Sequence, residues 1–333
     1  MTHLLDGGDL AGMVVLDHST FGPGPYATEL LRSLGARVIK LEPPTGDPGR
    51  DVPGLWQAFN AGKESIVCDL RDAGVREEVY RMIGTADAVV NSWRPGTAER
   101  LGMGADDLLS RRPSLVYCSI AGFGVGSPLR DRPGHDLNFL AGSGAYARIY
   151  RDSLEVPRLP IGDSIAGFAA AFRITAAVAA ARSTGRGQVI EVSIAALLAE
   201  CARFGAVADA SIDGDGAVTP AYGVFLLGDG SRVALGVVTE THFWTQLMVC
   251  LGLDQWVSIP PHEIGDRAGA VRADLVERLL HFDRSSLESA FSGHRDVPWT
   301  FVEEGSVPDF DAPVPRVSEP PPELGEHGRH VVA

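Results

Sequence analysis

Basic residues are scarce in this sequence, 29 Lys and Arg against 43 Asp and Glu, for a formal net charge of -14. A surface that follows nucleic-acid phosphates needs the opposite balance, so nucleic acid is excluded as a partner and an anionic ligand requires a local basic cluster. Cysteine is sparse too. Cys68, Cys118, Cys201 and Cys250 are spaced too widely for a zinc motif and read as reduced packing residues, with no metal implied. No apolar run reaches the roughly 18 residues of a membrane-spanning helix. Residues 165–181 come nearest, but Arg173 interrupts them and their many alanines suit a buried helix. No basic segment followed by an apolar core opens the chain. These absences together lead to the expectation of a cytoplasmic protein with no membrane partner. GxGxxG after the first strand, a P-loop lysine and a GxSxG elbow are all missing. Nicotinamide, ATP and serine-hydrolase readings thereby lose their best support.

What is present fits a globular protein of two domains: 333 residues, 45% hydrophobic and 22% charged. MVVLD (13–17), RVIKLE (37–42), SIVCDL (65–70), AVV (88–90) and SLVYCS (114–119) are short, β-branched apolar runs. Helical spacing separates them over 22–36 and 75–83, so the pattern predicts a parallel sheet with helices on its faces. An Ala-rich helix is predicted over 164–182, a strand over 189–192 and a helix over 194–205. The sequence then turns polar and Gly/Asp-rich over 208–217, marking a domain boundary. Beyond it, 223–227 and 233–238 flank the turn Gly228-Asp229-Gly230 as a hairpin. Helices over 243–251 and 270–282 complete a small α+β domain. A proline-rich tail follows, expected to lie extended. The divisions are 1–206, 217–300 and 307–333.

Residues 122–144, GFGVGSPLRDRPGHDLNFLAGSG, hold the candidate chemistry. The turn Pro133-Gly134 precedes an apolar run starting at Leu137, which puts His135 and Asp136 at the mouth of a helix. Unpaired N–H groups and the positive dipole end there can hold an enolate or carboxylate while His135 moves a proton. An isolated His-Asp pair equally fits a capping aspartate with a histidine packed under a loop. In open α/β sheets the ligand crevice lies beyond the carboxyl ends of the strands, which is where His135 falls. Asp163, in PIGD, is expected at the N-cap or first turn of the long helix.

Taken in order, GPYATELLRSLGARVIKLE, GKESIVCDL, NSWRPGTAERLGMG, CSIAGFG, PGHDLNFLAGSG, LPIGDSIAG, GRGQVIEVSI and PVPRVSEPPPELGEH resemble the family III CoA-transferases. Within them the series is most similar to the α-methylacyl-CoA racemases. The resemblance covers nearly the whole chain. It implies a large Rossmann-like domain built from both chain ends, a small domain, and an interlocked homodimer. It implies an acyl-CoA substrate, with coenzyme A as part of the substrate and no prosthetic group. Arg94 and Lys40 match positions that contact CoA, and Lys63 is a further candidate beside Glu64, where many relatives carry a second basic residue.

In the racemase reading His135 and Asp163 are bases on opposite faces of a planar enolate. Glu240, matched through ETHFW, hydrogen-bonds His135, and the Asp136 backbone N–H helps hold the enolate oxygen. The alternative is a CoA-transferase that forms a covalent Asp163 adduct, since the spacing from Asp163 to Gly167 suits both branches. A more distant alternative is a non-catalytic subunit that binds acyl thioesters. The departures from the racemase pattern are Ser164-Ile165-Ala166 in place of a glycine series and only 5 Met for an acyl site that is Met-rich in racemases.

Overall fold

Strands buried on both faces read as continuous apolar runs, and the first of them, VVLDH, is buried at four of its five positions. The computed structural model describes residues 8–150, 154, 156–211, 219–294, 296–303 and 319–330. In chain order the first elements are β1 (Val14–His18), α1 (Pro23–Ser33), β2 (Arg37–Glu42), α2 (Pro53–Asn60), β3 (Glu64–Cys68), α3 (Ala73–Ile83), β4 (Ala88–Asn91), α4 (Thr97–Arg100) and α5 (Ala105–Arg111). Next come β5 (Val116–Ala121), α6 (Asp136–Gly142), α7 (Ala145–Tyr150), α8 (Ile161–Thr184), β6 (Gln188–Ser193) and α9 (Ile194–Ser211). They are followed by β7 (Tyr222–Leu226), β8 (Arg232–Gly236), α10 (Thr241–Leu251), α11 (Asp254–Val257), α12 (Ala268–Leu279), α13 (Arg284–Phe291), β9 (Trp299–Phe301) and β10 (Arg329–His330).

The chain forms two units, Met1–Arg203 with Phe310–Ala333, and Phe204–Asp309. In the first, seven parallel strands run in the order β10-β3-β2-β1-β4-β5-β6. Alternate residues face opposite layers. Val15, Val38, Val90 and Cys118 join α1, α8 and α9 in one core, while Leu16, Ile39, Val89 and Tyr117 join α3 and α5 in the other. β1 lies between β2 and β4, so the strand order reverses there and the loops after β1 and β4 open a crevice at the carboxyl end.

The second unit is a three-stranded antiparallel sheet, β7-β8-β9, with helices around a core that includes Trp244, Leu247, Val271 and Leu275. The hairpin turn is closed by Asp229, whose Oδ1 accepts the Ser231 N–H at 2.9 Å. The Rossmann-like parallel sheet and small second unit match the fold expected from the resemblance. Residues 212–217 of the expected boundary, and 307–318 and 331–333 of the expected tail, lie outside the described residues.

Two expectations are corrected. α8 spans 24 residues with a mean hydropathy of 1.6 over its best window, so among the described residues one helix is long and apolar enough to cross a membrane by length and composition. Arg173 alone does not lower the window enough, because alanine, isoleucine and phenylalanine surround it. The helix packs on α1 and the sheet through Ala166, Ala170, Ile174, Ala177 and Val178. Cys201 is exposed rather than packed, whereas Cys68 and Cys118 are buried, with burial the leading cause that pushes both thiols up to about 12.

Candidate active site

The crevice beside β1 is built from buried charge. Asp17, at the end of β1, accepts from the Ser19 N–H at 2.9 Å and the Thr28 Oγ1–H at 2.6 Å. Burial works against its ionisation, but Lys40 and Lys63 together hold its carboxyl well below the usual range. Lys63 Nζ reaches Asp17 at 3.2 Å, Pro25 O at 2.9 Å, Thr28 Oγ1 at 2.8 Å and Asn60 Oδ1 at 3.1 Å. Lys40 Nζ donates to Ser19 O at 2.6 Å and pairs with Asp47 at 3.0 Å. Neither lysine, though expected as a CoA contact, is among the residues lining the cavity described below: both are buried among internal partners and shape the loop after β1.

That loop is fastened at three successive residues. Ser19 is held by Asp17 and Lys40, the Thr20 N–H donates to Ser92 Oγ at 2.9 Å, and the Phe21 N–H donates to Asp47 Oδ1 at 3.2 Å. Phe21 is the one described non-glycine residue with a positive φ, 65°, a conformation costly for a bulky side chain and maintained by these bonds. Gly22 follows, and a Cβ there would lie 2.7 Å from Asp163 Oδ2. Only a glycine lets the backbone approach the carboxylate this closely.

A cavity of about 450 Å³ opens at this point, lined by Phe21, Gly22, Trp93, Arg94, His135 and Asp163, and by Arg130 and Arg132. His135 is the exposed N-cap residue of α6, its N–H donating to Asn138 Oδ1 at 3.0 Å and its ring 5.6 Å from that of Phe21. Asp163 sits in the first turn of α8. Burial, and then the neighbouring Asp136, raise its carboxyl to about 7. Asp136 does not cap its own helix. Its Oδ1 accepts the Asp163 N–H at 2.8 Å, so the capping reading holds for α8 instead.

The structure thus brings His135, Asp136, Asp163 and Arg94 together, all in the first unit. Glu240 belongs to the second unit, where it is the N-cap of α10 and accepts the Val238 and Thr239 N–H groups at 3.0 Å each. Sequence reasoning missed Phe21, Gly22, Arg130 and Arg132. The clusters FGPGP and RDR carried the available signal: turn chemistry after a strand, and positive charge ahead of the His-Asp pair. An adjoining cavity of about 360 Å³ shares Thr20 and Trp93 with the first and is walled by Leu41, Pro43, Leu70 and His18. His18 Nε2 is buried without a hydrogen-bond partner, and burial lowers the imidazole to about 3, so it is neutral.

The model of the CoA-transferase family III matches residues 10–306. The chain belongs to this family. Among curated relatives, a probable fatty acyl-CoA transferase, Rv3272 of Mycobacterium tuberculosis, is 34% identical over 197 residues, 56% of this chain and 50% of that protein. Acetyl-CoA:oxalate CoA-transferase of Acetobacter aceti is 36% identical over 198 residues, 56% of this chain and 51% of that protein. The matched region thus spans about half the length of these two relatives. A crystal structure of Rv3272 superimposes with a TM-score of 0.81 over 96% of this chain and 98% of that one, at 24% identity, and shows the shared fold.

These findings overturn the expectation that the racemases are the nearest branch. Human alpha-methylacyl-CoA racemase matches less well, at 30% identity over 260 residues, 73% of this chain and 65% of that protein.

Proposed function

We propose that this chain is a CoA-transferase that moves CoA from an acyl-CoA to a carboxylic acid, with Asp163 as the covalent nucleophile. The observation that carries the reading is the Asp163 carboxylate itself. It lines a cavity beside arginines, its helix turn is fixed through its own N–H, and its basicity is raised to about 7. A more basic carboxylate is a better nucleophile towards a thioester, and near pH 7 a large share of it is ionised. The names of the matched relatives, most of them CoA-transferases, support the same reaction class.

The steps balance without an external reagent. An Asp163 carboxylate oxygen attacks the thioester carbonyl, and the C–S bond breaks to release CoA thiolate and leave an acyl-aspartyl anhydride. The thiolate attacks the aspartyl carbonyl, which frees the first acid as a carboxylate and leaves Asp163 as its CoA thioester. A second carboxylate attacks that thioester and expels the thiolate. The thiolate then attacks the acyl carbonyl of the new anhydride, forming the new acyl-CoA and restoring Asp163. Each step develops negative charge on an oxygen, and Arg94, Arg130 and Arg132 put positive charge on the same cavity. Arg94 would meet the CoA phosphates, and the adjoining apolar cavity, with neutral His18, would take the nucleotide base. Phe168 and Phe172 of α8 are 51% and 75% exposed, which supports assembly as a homodimer.

Incubation with acyl-CoA and hydroxylamine tests the reaction. Hydroxylamine should convert the Asp163 peptide to its hydroxamate, with the matching mass gain, only when acyl-CoA is present. Under demonstrated turnover, an Asp163 peptide that stays unmodified would overturn the assignment. His135→Ala should leave the adduct trappable, because in this reading His135 only helps position substrate.

A further inference from the structure

The geometry points to Asp136 as the positioning residue of Asp163: its side chain holds the nucleophile's own backbone N–H and sets the charge that the nucleophile works against. This inference rests on the transferase reading for its functional meaning, though not for its test.

α8 needs a cap from outside. Its N-cap residue is Pro160, which has no polar side chain to offer the first turn and makes no side-chain cap bond. Asp136 supplies the missing acceptor from 27 residues earlier, Oδ1 to Asp163 N at 2.8 Å. Room for that carboxylate is made by Gly162, where a Cβ would lie 2.9 Å from Asp136 Oδ1 and 2.8 Å from Leu198 Cδ1. The bond that caps the helix is therefore the bond that fixes the residue bearing the nucleophile. Were the cap alone needed, a neutral acceptor would serve as well.

The second effect follows from charge. Asp136 places a carboxylate next to a second, partly buried carboxylate, which disfavours ionisation of Asp163 and adds to the effect of its burial. The other ionisable groups that share the cavity with Asp163 are His135, Arg130 and Arg132 ahead of α6, and Arg94 after β4. The loop after β1 contributes none, since Thr20, Phe21, Gly22 and Pro23 carry no titratable group. Positive charge on the arginines favours the ionised form. Asp136 is the group that opposes it, and it keeps Asp163 basic enough to attack while the arginines receive the developing oxyanion. Through burial first and Asp136 second, the acid limb of the reaction comes to lie near neutral pH.

The test needs no substrate. With 13Cγ-labelled aspartate, the Asp163 carboxyl resonance, assigned by its loss in Asp163→Asn, is titrated in the native protein and in Asp136→Asn. The variant keeps the acceptor oxygen and removes the charge. Its Asp163 midpoint should fall by about one unit or more from the native value near 7, while the Asp163 N–H remains as protected from hydrogen exchange as before. Asp136→Ala should lose that protection at least tenfold, and Asp136→Asn should restore it. An Asp136→Asn titration with the native midpoint, or equal exchange in all three proteins, would overturn the inference. Hydroxylamine trapping on the same proteins reports separately on the transferase reading: no adduct with a displaced midpoint sinks that reading and leaves the positioning role standing. If both hold, the ratio of rates at pH 6 and pH 8 should rise in Asp136→Asn.

Discussion

A Cβ at residue 22 would lie 2.7 Å from Asp163 Oδ2, closer than real Cβ contacts come, so one methyl group separates a working carboxylate from a displaced one. Gly22→Ala should therefore move the Asp163 side chain or the Phe21–Gly22 backbone. Because Phe21 is already held at φ 65° by Asp47, the backbone has little freedom to yield, and the carboxylate is the part that shifts. Misplacement by about 1 Å in a near-attack arrangement costs roughly 10²-fold in rate. The rate of hydroxamate formation at Asp163 should drop by about that factor, with the circular dichroism spectrum unchanged. Native trapping rates in the variant would show that the close approach has no bearing on the chemistry. The buried lysines carry a residue-scale lesson as well. Lys40 and Lys63 resemble ligand contacts in sequence, yet each ion pairs with a buried aspartate, and their work is to hold the loop on which Gly22 sits.

At the scale of elements, the described part of the tail returns to the first unit and completes its sheet. β10 pairs with β3 in parallel, the Gly62 N–H donates to Pro320 O at 3.1 Å, and Arg50 Nη1 donates to Pro322 O at 3.1 Å. Ser65 is held from two sides, its N–H donating to His327 Nδ1 at 3.1 Å and its Oγ accepting the Gly325 N–H at 3.0 Å. Net contributions of about 0.5–1.5 kcal/mol per hydrogen bond make this segment worth on the order of a few kcal/mol. A chain ending at residue 318 should unfold at a clearly lower urea concentration, since β3 becomes an unpaired edge. An unchanged midpoint would mean that the tail strand contributes nothing to the sheet.

For the whole molecule, the outward residues of α8 raise the question of assembly. Phe172 is 75% exposed and Phe168 51%, one helical turn apart on a helix whose other face is core. A single exposed aromatic is ordinary, but two in register on an Ala-rich face favour burial against a second copy. Sedimentation should show a species of twice the 35.3 kDa chain mass, and Phe172→Glu should weaken that association at least tenfold while leaving α8 folded. A monomer at micromolar concentration in the native protein would exclude the homodimer.

The sequence by itself determined the strands, the hairpin and the long helix, because period-2 and period-3.6 patterns are local and survive without tertiary context. β2 falls over the residues expected, 37–42, and the His-Asp pair stands at the mouth of α6. Elements of few residues escaped, among them the eight-residue α13 and the three-residue β9, since so short a run holds too few repeats for the pattern to stand out. Residues 122–144 and Asp163 were legible as a site through turn chemistry and family resemblance. Tertiary structure alone decided that Lys40 and Lys63 face inward, because their burial depends on Asp17, Asp47 and Asn60 being folded around them. It also decided what Asp136 does. A carboxylate next to His135 in sequence points along the chain to its own helix, and only the packing of α6 against α8 turns it to the N–H of Asp163, 27 residues away.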